Sequence, residues 1–163
     1  MPKTTTAPIT DASPIAVRQA VLDDLPALAD LFDHYRRFQG QRSDPAAARA
    51  FLAERFNHGE SVLFIATDDG TPVGLAQLYP SFSSVSLSRV FILNDLYVAE
   101  SGRRKRVASR LLAAVETYAW SFGSARVTLN VARDNTSAQA FYSASGWKAD
   151  DQFFTYHRFP PRA

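Results

Sequence analysis

Apolar side chains change their spacing along the chain, and these changes divide it into strands and helices. Alternating apolar and polar residues, or short apolar runs between turns, predict strands. Apolar residues that recur every three or four positions predict helices, as in the stripe from Leu25 to Phe38. The predicted elements are a strand at 15–20, helices at 22–38 and 44–58, strands at 61–67, 73–82 and 87–98, a helix at 107–122, a strand at 127–131, a helix at 135–145, and two antiparallel strands within 147–159.

Turn-forming residues support these boundaries. Asp44 before Pro45 is typical of a helix N-terminus, and Gly123 and Gly146 follow the last apolar positions of two predicted helices. Asp68-Asp69-Gly70 is typical of a hairpin turn between strands. The order β-α-α-β-β-β-α-β-α-β-β predicts an α/β domain with a mixed sheet and helices on both faces.

Length and composition predict one folded domain behind a short tail. The chain has 163 residues, near the commonest domain size, and 46% of them are apolar, which is enough to build a core. Residues 1–14 are mainly Thr, Pro, Ala and Ser without periodicity. We therefore expect a mobile tail at 1–14 and a single domain at 15–163.

Composition also excludes several classes of function. The chain has no Cys, so a disulfide framework, a thiol nucleophile and a thiolate metal site are excluded. Its three His residues lack metal-ligand spacing, and no metal is predicted. Because there is neither a membrane-spanning apolar run nor a signal pattern, a cytoplasmic protein without a membrane partner is expected. The net charge of +2 is too small to indicate a nucleic-acid partner.

Four consecutive basic residues, Arg103 to Arg106, lie where a predicted strand gives way to a helix. A helix start leaves backbone N–H groups unpaired, and these groups, the helix dipole and nearby cations suit a diphosphate. From the residues alone, four solvated charges at a helix start are an equally good interpretation. A nucleic-acid-binding module is a further one. The cations oppose the helix dipole, and such local conflicts are typical of functional sites.

The segment around this basic cluster resembles a signature of the GCN5-related N-acetyltransferase (GNAT) superfamily. In that signature, a strand ending in Val precedes a turn of the form Arg/Gln-x-x-Gly-x-Gly/Ala. Val98 matches the end of the strand, Arg103 the first position of the turn and Ala108 the last. Arg106 stands where the family has Gly. We expect Arg106 to keep a helical φ and still offer its N–H, with its guanidinium either contacting a phosphate or lowering the affinity.

A second block strengthens the resemblance. Residues Asn135 to Tyr142, followed by Gly146-Trp147, are similar to the family pattern Asn-x-x-Ala-x-x-Phe-Tyr and its Gly-aromatic pair. The two blocks occur in the family's order, and the similarity spans about Ile15 to Phe159.

The resemblance implies the acyl-CoA N-acyltransferase fold, in which a centrally splayed mixed sheet is flanked by helices on both faces. It also implies an N-acetyltransferase that moves the acetyl group of acetyl-CoA to a primary amine by direct attack. The acceptor would be a small amine, a polyamine or a protein amine. Since dimers are common in the superfamily, a homodimer is expected. The alternative is a non-catalytic relative that binds acetyl-CoA, which Arg106 and Asn94 motivate.

The same resemblance implies a set of site residues. Backbone groups of the long strand would bind the pantetheine arm, with the Val98 N–H facing the developing oxyanion. The basic turn and helix start would bind the diphosphate, and residues of the second block would complete the site. The implied cofactor-binding residues are Leu96, Tyr97, Val98, Arg103, Arg104, Lys105, Arg106, Val107, Ala108, Ser109, Asn135 and Tyr142.

Two residues are candidates for proton transfer. Tyr142 resembles the tyrosine that protonates the leaving thiolate, although its helical spacing from Ala138 equally suits a core aromatic. Polyamine acetyltransferases of the superfamily carry a Glu at the place that Asn94 occupies here. Asp95 is then the nearest carboxylate, acting as a base through water. A strand carboxylate held by structural hydrogen bonds is an equally good interpretation of Asp95.

Overall fold

The computed structural model describes residues 14–161, so the predicted tail, apart from Pro14, lies outside the described residues. The chain divides into two compact units, one ending at Leu129 and the other beginning at Asn130. The first unit contains a five-stranded sheet in sequence order, antiparallel except for its last pair. Its strands are β1 (Ile15–Gln19), β2 (Val62–Asp68), β3 (Thr71–Ser83), β4 (Ser88–Val98) and β5 (Val127–Thr128).

Helices follow the predicted positions closely. They are α1 (Leu25–Phe38), α2 (Pro45–His58), α3 (Val107–Ser121) and α4 (Thr136–Ala144). The Asp44 carboxylate accepts a hydrogen bond from the Ala47 N–H at 2.9 Å and so caps α2. The Asn135 side chain accepts one from the Ala138 N–H at 3.1 Å and caps α4. Within residues 14–161, no helix is long and apolar enough to cross a membrane.

Helices cover both faces of the sheet in the first unit. On one face, Leu28 of α1 and Leu52 of α2 are fully buried in a cluster that includes Ile65 of β2. On the other face, Tyr118 of α3 makes an edge-to-face ring contact with Phe64, because adjacent strand residues point to opposite faces. The predicted mixed α/β class, with helices on both faces, is confirmed.

The last strand of the sheet is shorter than predicted. A buried strand at 127–131 is wrong, since β5 contains only Val127 and Thr128, and Thr128 is exposed. The cause lies in β4, where Asn94 is an extra residue between the partners of Gln77 and Leu78. Such a bulge bends a strand, so a parallel neighbour cannot follow it far.

The two strands predicted within 147–159 are also wrong, because residues 147–161 contain no strand in the structure. The Asp150 carboxylate accepts hydrogen bonds from the N–H groups of Gln152 and Phe153 at 2.9 and 3.2 Å. This local turn uses donors that a strand ladder would need. Four aromatic residues that the pattern assigned to the sheet are at least 77% exposed, namely Phe153, Phe154, Tyr156 and Phe159.

Candidate active site

The sheet opens beside β4. Strand β5 pairs with Phe91 and Ile92 only, whereas β4 continues to Val98 with β3 as its paired neighbour. From Leu93 onward, the opposite edge of β4 has no strand partner among the residues that the structure describes. This gap is a splay of the kind that the fold was expected to contain, and it lies at the last strand pair of the described sheet rather than at its centre.

Backbone donors on the open edge can be assigned from the strand pairing. The Ala99 N–H donates to the Val73 carbonyl at 2.8 Å and therefore points toward β3. Because N–H directions alternate along an antiparallel strand, the N–H groups of Leu96 and Val98 point to the open edge. The N–H of Tyr97 points back to β3, and its ring contacts Tyr35 of α1 at a centroid distance of 6.1 Å. Leu96 and Val98 thus present their backbone N–H groups on the open edge of β4.

A one-turn 3₁₀ helix, Glu100–Gly102, connects β4 to the basic turn, which we define as Arg103–Arg106. Helix α3 begins at Val107, and its first helical hydrogen bond runs from the Arg110 N–H to the Arg106 carbonyl at 3.1 Å. The N–H groups of residues 107–109 precede that bond, and the Arg106 side chain does not cap them. Such donors at a helix start suit an anionic ligand.

The backbone of the basic turn is strained at two positions. Arg104 has φ +62° and Arg106 has φ +61° with ψ +20°, both in the left-handed region. The expectation that Arg106 keeps a helical φ is therefore wrong. Glycine adopts such a backbone conformation readily, whereas a residue with a side chain does so at a cost of about 1–2 kcal/mol.

Two glycines that the sequence analysis did not select let the turn lie directly on the sheet. A Cβ on Gly102 would lie 2.9 Å from Val73 Cβ. A Cβ on Gly74 would lie 3.1 Å from both Val107 Cγ1 and Leu111 Cδ1 of α3. A glycine inside an apolar strand, as at Gly74, is the signal of close backbone approach that could have identified it.

The four side chains of the basic turn are exposed, and they differ in their partners. The Lys105 ammonium forms an ion pair with the Asp68 carboxylate at the end of β2. Among residues 14–161, the guanidinium groups of Arg103, Arg104 and Arg106 form no ion pair. Three arginines are therefore available to a phosphate group, whereas Lys105 is already engaged.

Asp95 lies at the centre of a buried polar network. One carboxylate oxygen, Oδ2, accepts a hydrogen bond from Gln77 Nε2 at 2.7 Å, and Oδ1 accepts one from Asn94 Nδ2 at 3.1 Å. Gln77 Oε1 accepts a third bond from Ser61 Oγ at 2.8 Å. An ionised carboxylate has about four acceptor sites, so these two bonds leave Asp95 capacity for water or substrate.

Tyr79 lies two residues beyond Gln77 on β3, and no sequence pattern distinguishes it from the other tyrosines. The pKa of the Tyr79 phenol is raised, mainly by burial and secondly by the negative charge of Asp95. The positive charge of Arg55 lowers this pKa, and the negative charge of Glu60 raises it further. Arg55 is itself paired with Glu60, Nε to Oε2, at 2.6 Å. The phenol therefore remains a neutral hydrogen-bond donor in the neighbourhood of Asp95.

Asn135 and Tyr142 belong to the second unit. Asn135 caps α4, as described above, and its side-chain oxygen is used in that cap. Tyr142 is half-buried, with ring centroids 5.2 Å from Phe141 and 5.7 Å from Trp147. Burial raises the pKa of Tyr142, so its phenol is protonated at neutral pH and able to donate a proton.

Comparison with known proteins identifies the family. Residues 25–147 match the model of the acetyltransferase (GNAT) family. The chain belongs to the GNAT family. This GNAT protein is 43% identical over 140 residues to an uncharacterized N-acetyltransferase, YhfO, of Bacillus subtilis (strain 168), and the match covers 86% of the chain and 94% of the relative.

Solved and curated relatives agree with this assignment. A crystal structure of a probable acetyltransferase has a TM-score of 0.85 and 41% identity to the GNAT protein, covering 91% of its chain and 99% of the other. An aminoglycoside N(6')-acetyltransferase type 1 of Salmonella typhimurium (strain LT2) is 26% identical over 136 residues, covering 77% and 91% of the two chains. The protein is an enzyme of the N-acetyltransferase class, and the family and fold expected from its sequence are confirmed.

Proposed function

We propose that this GNAT protein transfers the acetyl group of acetyl-CoA to a primary amine. The observation that carries the proposal is the geometry of the basic turn, since the chain keeps a left-handed backbone at Arg106 despite the energetic cost. A costly backbone shape retained at the start of a helix is typical of a functional site. A family member that no longer binds acetyl-CoA would not be expected to keep this strained backbone.

The described residues fit coenzyme A in two places. The N–H groups of Leu96 and Val98 on the open edge of β4 suit the amide groups of the pantetheine arm. The N–H groups of residues 107–109 and the guanidinium groups of the basic turn suit its phosphates. When bound, acetyl-CoA supplies a thioester whose acyl carbon accepts the amine.

The reaction requires two proton movements. The amine nitrogen forms a bond to the acyl carbon, the carbon–sulfur bond breaks, and the nitrogen loses a proton while the thiolate gains one. A substrate that starts as an ammonium must first lose one additional proton, because with a pKa of about 10.4 only about one molecule in 10³ is neutral at pH 7, so a base must act. We assign this role to Asp95 through water, and protonation of the thiolate to Tyr142. The Val98 N–H stabilises the negative charge that develops on the acyl oxygen.

The charges around Tyr79 favour a cationic acceptor. Asp95 and Glu60 act on the Tyr79 phenol as negative charges and Arg55 acts as a positive one, so these three groups carry one net negative charge. An excess of negative charge attracts an ammonium group and keeps it close to the base. The acceptor is therefore a small amine, a polyamine or a protein amine, and the similarity to an aminoglycoside acetyltransferase adds that class of polyamine-like substrates.

The experiment has a binding arm and a turnover arm. Calorimetric titration of the full chain with acetyl-CoA should show a dissociation constant on the order of 1 μM to 1 mM, by analogy with typical KM values. A variant with R103A and R104A should bind more weakly. Release of CoA thiol is then measured with spermidine, kanamycin, a D-amino acid and a lysine-containing peptide. Absence of acetyl-CoA binding would refute the proposal, and binding without turnover of any amine would favour the non-catalytic alternative.

A further inference from the structure

The Lys105–Asp68 ion pair ties the basic turn to a part of the sheet that is 37 positions away in sequence. Asp68 is well fixed, because it is the last residue of β2 and pairs with Ile15 of β1 and Thr71 of β3. Its side chain is only 18% exposed, whereas that of Lys105 is 49% exposed. The rigid partner of the pair is therefore Asp68, and the element that it holds is the basic turn.

The pair is placed where the turn is most strained. Lys105 stands between Arg104 and Arg106, and both neighbours have a left-handed backbone. Non-glycine residues relax from this region unless their surroundings hold them. Close packing against the sheet holds both ends of the basic turn. Gly102, just before the turn, packs on Val73, and Val107, just after it, packs on Gly74. The Lys105–Asp68 pair is the corresponding contact at the middle of the turn.

We propose that Asp68 is a positioning residue for the coenzyme-binding turn. By holding Lys105 against the end of β2, Asp68 keeps Arg104 and Arg106 in their left-handed conformation and directs the N–H groups of the turn and helix start to the diphosphate. This inference rests on the proposed function, because it assumes that the basic turn binds acetyl-CoA. It also gives Lys105 a role that differs from that of the neighbouring arginines.

A simpler role for Lys105 predicts the opposite result. If Lys105 is a phosphate ligand that Asp68 merely competes for, removing Asp68 frees a cation and removes a nearby anion. Both changes would strengthen the binding of CoA. If Asp68 positions the turn, its removal lets the strained backbone relax, and binding weakens. The sign of the change in affinity therefore separates the two roles.

The test titrates D68A, K105A, the double variant and K105R with CoA in a calorimeter. D68A and K105A should each weaken CoA binding by about tenfold, and the double variant should be no weaker than K105A, because both single changes break one interaction. K105R, which can still pair with Asp68, should bind like the wild type. D30A is the matched control, since exposed Asp30 on α1 removes the same charge away from the turn. A thermal melt of each variant checks that it is folded.

Three outcomes would overturn the inference. Tighter binding of CoA by D68A would show competition rather than positioning. Equal weakening by D68A and D30A would show an effect of substitution that is not specific to the turn, and unchanged binding by D68A would show no role at all. If the wild-type protein binds no CoA, the proposed function fails first and the inference fails with it.

Discussion

Gln77 donates its side-chain amide to the Asp95 carboxylate across neighbouring strands at 2.7 Å, and neither residue is more than 5% exposed. Buried polar groups need hydrogen-bond partners, and here Gln77 and Asp95 satisfy each other, with further bonds from Ser61 to Gln77 and from Asn94 to Asp95. A buried Leu at position 77 would need no such network. The network therefore holds Asp95 in a defined orientation, as expected for a base that acts at one position.

Replacing Gln77 by Leu tests this role. Gln77→Leu removes the shorter of the two hydrogen bonds to Asp95 and leaves the Ser61 hydroxyl without its Gln77 acceptor, so the free energy of unfolding should fall by about 1–3 kcal/mol. Because Asp95 is then held only by the longer bond from Asn94, kcat should fall with the acetyl-CoA dissociation constant unchanged. The measurements are a urea denaturation curve, a calorimetric titration and the rate of CoA release with the best amine of the panel.

Ser61→Ala provides the control, since it removes one hydrogen bond and keeps the Gln77–Asp95 contact. It should lower stability without lowering kcat. Asp95→Asn should lower kcat at least as much as Gln77→Leu does. Equal kcat values in the wild type and in a folded Gln77→Leu variant would show that the network is only structural.

The left-handed backbone of Arg106 predicts that glycine is tolerated there. Arg106→Gly removes a side chain that φ +61° disfavours, so the protein should be stabilised by up to about 1 kcal/mol. Arg103→Gly is the matched control, because Arg103 has φ −67° and should lose stability when it becomes glycine. Thermal melts of the two variants should therefore shift in opposite directions.

The affinity of the same variants for CoA reports what the guanidinium of Arg106 does. Weaker binding by Arg106→Gly, despite its greater stability, would show that the side chain contacts a phosphate. Unchanged binding would show that the backbone alone is used at this position. A loss of stability in Arg106→Gly would contradict the backbone conformation described above.

Close packing at Gly74 predicts a loss of both stability and binding. A Cβ at this position would lie 3.0 Å from the Tyr97 carbonyl oxygen and 3.1 Å from Val107 Cγ1, so these neighbours must shift by a few tenths of an ångström when Ala is introduced. Gly74→Ala should reduce the free energy of unfolding by about 1–3 kcal/mol. Because Val107 begins α3, CoA binding in a titration should weaken as well. A folded Gly74→Ala variant with wild-type affinity would show that the helix start tolerates displacement.

Elements with strong local signals were predictable from the sequence. Asp44 and Asn135 each cap a helix at a predicted helix start, because capping depends on a few adjacent residues. The Asp68–Gly70 turn likewise joins β2 and β3 as its composition indicated. The basic turn could be located for the same reason, since its charges are consecutive.

Features that depend on distant partners were not predictable. β5 ends after Thr128 because of a bulge in β4, which the apolar pattern of 127–131 does not report. Gln77 lies in the middle of a strand, and only its pairing with Asp95 gives it a role. In sequence, Lys105 is one of four consecutive basic residues, and only its ion pair with Asp68 distinguishes it from the three arginines.

The raised pKa values of Tyr79 and Tyr142 predict that the free energy of unfolding falls at alkaline pH. Burial is the main cause of the raised pKa of Tyr79 and of Tyr142, whereas in the unfolded chain both ionise at about pH 10. A raised folded-state pKa contributes stability that is fully present below pH of about 10 and is lost as the pH rises toward the folded-state value. Urea denaturation curves above that pH should show this decline. The decline should be smaller in a variant carrying Tyr79→Phe and Tyr142→Phe, and an unchanged slope would show that neither phenol contributes.

Tyr142→Phe separates a proton donor from a packing residue. The substitution removes one oxygen and keeps the ring that contacts Phe141 and Trp147, so stability should change by no more than about 1 kcal/mol. If the phenol protonates the leaving thiolate, kcat should fall by roughly 10² to 10⁴-fold while acetyl-CoA binding is retained. Tyr156→Phe is the matched control, because Tyr156 is 89% exposed in the same unit and should behave as wild type. Full turnover by a folded Tyr142→Phe variant would leave protonation of the thiolate to water, and the role of α4 would then be confined to packing.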